Sequence, residues 1–264
     1  MELVAPRIFG IGTHHKTGTL WMRAVFRQLA EAIGVAFRQV HPNSAPDVVP
    51  VADRVFLVQW SSAFPAWLQS RPDARVLHVV RDPRDVLLSG MRYHRDTDAT
   101  EEGFLHAPRD DLGGRSYQSH LRALPDDAAR LRFEMTGRHA ETLAEMTAWT
   151  PGPNTIEARY EALVGPSGQD VFREHLRDLG IPEPEVERGL RAFWEHSLQG
   201  GLARPETRRY RVRSHVADGG ATQWKTQLPV EIARDYAARY GDALVALGYE
   251  THPTRWAERL ADAA

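Results

Sequence analysis

The sequence predicts an α/β fold: a parallel β-sheet flanked by helices, in a single domain spanning residues 1–264. Three observations predict it. Short, largely apolar runs recur at Ile8 to Ile11, Arg54 to Trp60 and Arg75 to Val80, as buried strands require, and Thr155 to Tyr160 reads as a fourth strand. Helical segments separate these runs, and crossover helices make neighbouring strands parallel. The first run passes through a glycine-containing polar turn, Gly12 to Thr19, directly into an amphipathic helix.

Composition sets the outer bounds. A chain of 264 residues is long enough for a proper core. A net charge of −2 and a pI near 6.6 leave no footprint for nucleic acid or an anionic membrane surface. There is no cysteine, which excludes disulfides and thiolate metal sites. The N-terminal MELVAPRIFG lacks the apolar core of a signal peptide. No apolar run approaches the length of a membrane span. The expectation is a cytoplasmic protein. Of 33 basic residues only Lys16 and Lys225 are lysine. A background preference for arginine leaves two lysines as readily. The place of Lys16 in the polar turn points instead to a compact ammonium that can move a proton. At Lys225 an exposed cation needs no special reason.

The stretch from Arg7 to Ala30 organises the chain. Leu20, Val25, Phe26 and Leu29 form the apolar face of the first helix, with Arg23, Arg27 and Gln28 opposite. Strand, glycine turn and helix in that order form a P-loop-like phosphate cradle. The unpaired N–H groups of the first helical turn and the helix dipole both favour an anion there. Lys16, Thr17 and Thr19 add an ammonium and two hydroxyls. The spacing is not that of the nucleotide-triphosphate loop G-x-x-x-x-G-K-[ST], because the lysine here precedes Gly18 by two positions.

Glu31 to Pro50 reads as a connector and Phe64 to Ser70 as a short helix. The run Arg75 to Val80 feeds Arg81-Asp82-Pro83-Arg84-Asp85, where Asp82 caps a helix and Pro83 takes its first position. Arg84 and Asp85 read as charges at a helix end. Arg92 to Arg115 is polar without a clear period and reads as a lid or substrate-binding insertion. His94 and His106 within it lack metal-ligand spacing and read as solvated loop histidines, so no metal site is expected. Tyr117 to Leu124 and Thr136 to Trp149 read as helices packing over the sheet, with a helix start at Pro125-Asp126-Asp127 between them. Pro151-Gly152-Pro153 is a break. Helices follow at Gly168 to Leu179, Glu183 to Leu198, Val230 to Leu247 and Arg255 to Ala263. The segment Gln199 to Gln223 crowds Arg204, Arg208, Arg209, Arg211 and Arg213.

Two motifs carry a resemblance. His15-Lys16-Thr17-Gly18-Thr19-Leu20-Trp21 resembles the 5′-phosphosulfate loop of sulfotransferases, P-K-[ST]-G-[TS]-[TS]-W. Those enzymes use 3′-phosphoadenosine 5′-phosphosulfate (PAPS). Arg81-Asp82-Pro83-Arg84-Asp85-Val86-Leu87-Leu88-Ser89 resembles their 3′-phosphate segment, R-[DN]-P-[RK]-D-x-x-x-S. The resemblance implies transfer of a sulfuryl group from PAPS to a hydroxyl or amine, releasing adenosine 3′,5′-bisphosphate (PAP). It implies that Lys16, Thr17, Gly18, Thr19 and Leu20 hold the 5′ end, Arg81 and Ser89 the 3′-phosphate, and Trp21 and Tyr160 the adenine. In the late loop 204–225 it implies Arg213, with Trp224 and Lys225. The base that many small-molecule sulfotransferases carry after the first crossover falls at Gln59, which cannot serve. His14 and His15, beside the turn, are the candidates in its place. The acceptor is expected to be a small molecule, carbohydrate or peptide. Two other classes remain open: a P-loop-type kinase, and a nucleotide-binding protein without turnover.

Overall fold

The computed structural model describes residues 5–49, 53–100, 102–204 and 220–262. The chain divides into two compact units, Met1–Arg81 with Ala148–Thr207, and Asp82–Thr147 with Arg208–Ala264.

The first unit is built on a sheet of five strands: β1 (Ile8–Gly12), β2 (Ala36–Gln39), β3 (Val55–Gln59), β4 (Ala74–Val80) and β5 (Thr155–Arg159). Their spatial order is β2-β3-β1-β4-β5, and every pairing is parallel. Alternation along each strand assigns its side chains to two faces. Phe9, Ile11, Phe56, Val58, Leu77 and Val79 point to one face. There Val25, Phe26 and Leu29 of the helix Thr19–Ile33 meet Phe172 and Leu176 of Gly168–Asp178, and Leu190 and Phe193 of Glu183–Glu195. Ile8, Val55, Leu57, Ala74 and Val76 point the other way, against Phe64, Leu68 and Trp149. Both faces are covered, so β1 and β3 tolerate no polar face. The α/β class with a parallel, helix-flanked sheet is thus the one observed.

β2 lies inside the stretch expected as a connector. Its four residues, Ala-Phe-Arg-Gln, carry a single large apolar side chain and run half-buried to exposed on the sheet edge. The first helix reaches Ile33 and ends at Gly34, whose left-handed backbone (φ 68°) turns the chain into β2.

In the second unit, Leu87, Leu88 and Met91 of the helix Pro83–Asp96 form a core with Leu121, Leu131, Met135, Ile232, Tyr236 and Trp256. The helix Tyr117–Ala123, expected over the sheet, packs within this unit on Pro83–Asp96. The stretch 92–115, expected without regular structure, opens as the end of that same helix, because Tyr93 and His94 lie on its buried side. It then holds a helical turn, Gly103–His106, and a 3-10 turn, Asp110–Leu112.

Candidate functional site

The turn after β1 is fastened from within. The carbonyl of His14 accepts from Thr17 N (3.1 Å), Thr17 Oγ1 (3.0 Å) and Thr19 Oγ1 (2.8 Å). The amide of His14 donates to Thr17 Oγ1 (2.8 Å), and Thr19 Oγ1 also stands 3.0 Å from Thr13 Oγ1. A hydroxyl has one proton. The two threonine hydroxyls are therefore engaged in shaping the turn. Gly12 enters it where a Cβ would lie 2.7 Å from Ser62 Oγ and 2.9 Å from the Phe64 ring. Lys16 has a left-handed backbone (φ 65°), which costs a non-glycine residue about 1 kcal/mol or more. Gly18 follows at φ 99° as the cap of the helix Thr19–Ile33. No side chain caps that helix and no acidic residue sits in its first turn, leaving the Thr19, Leu20 and Trp21 amides without a carbonyl of their own helix. The local field is that of an anion site. Leu20 and Trp21 are half-buried in this first turn.

Arg81, just past the end of β4, closes over the turn. It is 5% exposed and its Nη1 donates to the Lys16 carbonyl (3.0 Å). Its guanidinium lies 4.4 Å from the centre of the Tyr160 ring. Tyr160 opens the short helix Tyr160–Leu163 after β5, not the strand itself, and is buried. A Cβ on Gly18 would come within 3.2 Å of that ring. Trp21 meets Tyr160 edge-on at 6.3 Å and packs on Phe193 at 4.5 Å, donating Nε1–H to the Phe193 carbonyl (3.3 Å). Arg81 and Tyr160, distant in sequence from Lys16, Gly18 and Trp21, are thus brought to the same turn.

The two histidines of the turn differ. His15 is half-buried. His14 is fully buried, and its Nε2 lies 2.9 Å from Nε2 of His78 on β4. Burial pushes the His78 imidazole below the ordinary histidine range. Glu157 pulls it upward, and the proximity of the His14 ring pushes it down again. Gln59, which stands where the resemblance would place the base, accepts from Ser61 N (2.6 Å) and lies 3.1 Å from Ser61 Oγ. It is bound into its own turn. His78 was not legible as special: a histidine inside an apolar run is its one sequence signal.

In the second unit, Asp82 caps the helix Pro83–Asp96 by accepting from Arg84 N (3.0 Å). Arg84 and Asp85 are not surface charges of a helix end. Arg84 is 2% exposed. It donates Nε–H and Nη2–H to Asp82 (2.9 and 2.8 Å) and Nη1–H to Glu250 (2.6 Å). Its guanidinium lies 3.5 Å from the Trp224 ring centre and 4.6 Å from that of Trp256. Asp85 accepts from the amides of Thr222 (2.6 Å) and Trp224 (2.9 Å). Ser89 is half-buried on the same helix. Trp224 is packed in this unit's core and Lys225 is exposed beside it. Arg213 lies outside the described residues.

Fold and turn together define an α/β protein with a P-loop-like strand, glycine turn and uncapped helix start at its first strand. No family model matches the chain, and no curated protein matches it in sequence. In structure it is similar to mouse sulfotransferase SULT7A1 complexed with PAP, with a TM-score of 0.56 and 14% identity, over 99% of this chain and 90% of that one. It is similar also to retinol dehydratase in a complex with retinol and PAP, with a TM-score of 0.52 and 14% identity, over 91% of this chain and 82% of that one. At such identity the likeness is one of fold, and the chain has the sulfotransferase fold that its two motifs imply. Among the described residues no helix is long and apolar enough to cross a membrane.

Proposed function

We propose that this chain is a sulfotransferase that moves the sulfuryl group of PAPS to a hydroxyl or amine of a small molecule. The observation that carries the reading is Arg81 bonded to the Lys16 carbonyl and stacked on Tyr160, beside an uncapped helix start. This arrangement supports a phosphate at the turn and an aromatic surface for a base next to it. Structural neighbours crystallised with PAP support the same ligand. The whole chain is read as one catalytic domain, with 92–115 assigned to the acceptor and 204–225 to the cofactor by resemblance alone.

In this reading the amides of Gly18 to Trp21 hold the 5′-phosphosulfate, since the Thr17 amide is already bonded to the His14 carbonyl. Thr17 and Thr19 act by keeping the turn in shape. Lys16 neutralises the charge that gathers on the oxygen between phosphorus and sulfur as that bond breaks, an interaction stronger in the transition state than in the ground state. Arg81 serves the 3′-phosphate, and Ser89 shares it by resemblance. Trp21 and Tyr160 flank the adenine. Arg213, Trp224 and Lys225 are assigned to the cofactor by resemblance alone; Trp224 and Lys225 open the short helix Trp224–Gln227 rather than lying in a loop. His15, which retains solvent access, takes the acceptor proton. His14 is spent in the frame of the turn. No step calls for a metal.

The test is the melting temperature with PAP, AMP and ATP. A ligand that binds only the native state raises it. PAP is expected to raise it well above AMP, which lacks the 3′-phosphate. Equal shifts from PAP and AMP remove the 3′-phosphate role of Arg81. A shift from ATP alone favours a kinase.

A further inference from the structure

Beneath the phosphate turn three ionisable groups form a line across the sheet. Glu157 on β5 is the register partner of His78 on β4, and His78 is the register partner of Gly12, the last residue of β1. His78 Nε2 then meets His14 Nε2 at 2.9 Å, with the ring planes at 85°. His14 is the hub of the turn, since its carbonyl and amide together make the four hydrogen bonds that tie Thr17 and Thr19 to it. Whatever holds the His14 ring therefore holds the turn.

A bond between two ring nitrogens needs one to carry the hydrogen and the other the lone pair. Glu157 decides which. Its Oε2 stands 3.9 Å from His78 Nδ1, too long for a hydrogen bond but close enough for the carboxylate to favour hydrogen on that nitrogen. With Nδ1 protonated, a neutral His78 has its lone pair on Nε2, and His14 must be the donor. Trp149 stacks flat on the His78 ring, 4.3 Å between centres and 19° between planes, which keeps the ring from turning away. Both histidines are at most 1% exposed, so water does not compete for the bond.

We propose that His78 is a positioning residue for the anion site: it holds His14 as the Nε2–H tautomer and thereby fixes the phosphate turn, with Glu157 setting the direction of the bond. This rests on the PAPS reading only for the identity of the anion. The array touches no reacting atom. Its effect is on how well the turn is formed before the ligand arrives.

The experiment uses the full chain and two readouts. The first needs no ligand. In protein labelled with 15N at histidine, a scalar coupling between His14 Nε2 and His78 Nε2 is expected, with the hydrogen on His14. Absence of the coupling, or a hydrogen on His78 Nε2, overturns the tautomer assignment. The second readout is PAP affinity in two variants. His78→Phe keeps a ring on Trp149 and removes the nitrogen. It is expected to weaken PAP binding at least tenfold and to shift the amide resonances of Thr17, Gly18 and Thr19. His78→Gln places an amide oxygen where it can accept from His14, and is expected to recover most of the affinity. Equal affinity in wild type and His78→Phe, with unmoved amides at 17–19, overturns the positioning role. If wild type itself fails to bind PAP, the functional reading falls, while the coupling and the 17–19 amides still decide this one. Should His78→Phe not fold, Glu157→Ala at its half-exposed site serves instead. It is expected to let the hydrogen populate His78 Nε2, and an unchanged donor refutes the part given to Glu157.

Discussion

Replacing Arg84 by methionine is expected to destabilise the protein by about 4 kcal/mol, the range found when one partner of a buried ion pair is removed. The structure gives the reason for so large a loss. Arg84 is 2% exposed, and three of its donor groups are held by Asp82 and Glu250. Asp82 is itself 4% exposed. Methionine fills much of the same space and keeps a contact with the tryptophans, so little of the effect comes from a cavity. What remains is a buried carboxylate with its main counter-charge gone, together with a lost stack on Trp224 and Trp256 worth about 2 kcal/mol when desolvated. These contributions overlap and are not summed. For a chain of this size the change corresponds to a melting temperature lower by about 10 °C. Urea unfolding at neutral pH measures it, with Arg84→Lys as the control that keeps the charge and loses the planar fork. Adding Asp82→Asn to Arg84→Met should restore part of the loss, because the stranded carboxylate is then gone. A cost below about 1 kcal/mol for Arg84→Met is the value of an exposed charge, and would refute the buried-clamp argument.

Three further outcomes are expected. Lys16→Ala should lower kcat on the order of 10²-fold, as for loss of a charge-stabilising donor; Lys16→Arg should retain much PAPS affinity yet recover little rate, and near wild-type turnover in Lys16→Arg would remove the proton-donor role. Gly18→Ala should cost about 1–2 kcal/mol for its left-handed backbone and weaken PAP binding besides, since the new methyl presses on Tyr160; unchanged affinity would mean that the contact does not shape the site. Burial holds the His139 imidazole down to about 4, below its unfolded value of 6.5. As pH falls through that window the unfolded chain takes up a proton that the folded chain does not. His139 therefore contributes a loss of stability reaching about 3 kcal/mol near pH 4. His139→Gln should flatten that part of the stability–pH curve, and an unaltered slope would place its origin elsewhere.

The first strand, turn and helix were legible because each is written locally: a continuous apolar run, a glycine turn and one apolar face in the helix. The Asp82–Pro83 helix start was legible for the same reason, and the structure has the expected cap. β2 was hidden because an edge strand of four residues has almost no apolar signal of its own. The partners of Arg84 and Asp85 were hidden by distance along the chain, since Glu250 lies 166 residues from Arg84 and Thr222 lies 137 from Asp85. Local reading could see only two charges at a helix start. His14 and His78 are 64 residues apart. The first was visible for its place in the turn, while the second acquires its meaning only when β1 and β4 pair.

A chain that transfers sulfuryl groups from PAPS, as proposed, releases one PAP for each sulfated product. The full chain is incubated with PAPS carrying labelled sulfur and a pool of small alcohols, phenols and amines. PAP release is expected to depend on the pool and to match label appearing in a sulfated product, with both lost together in Lys16→Ala. Failure to consume PAPS, with transfer of the γ-phosphate of ATP to members of the same pool, would contradict the proposal.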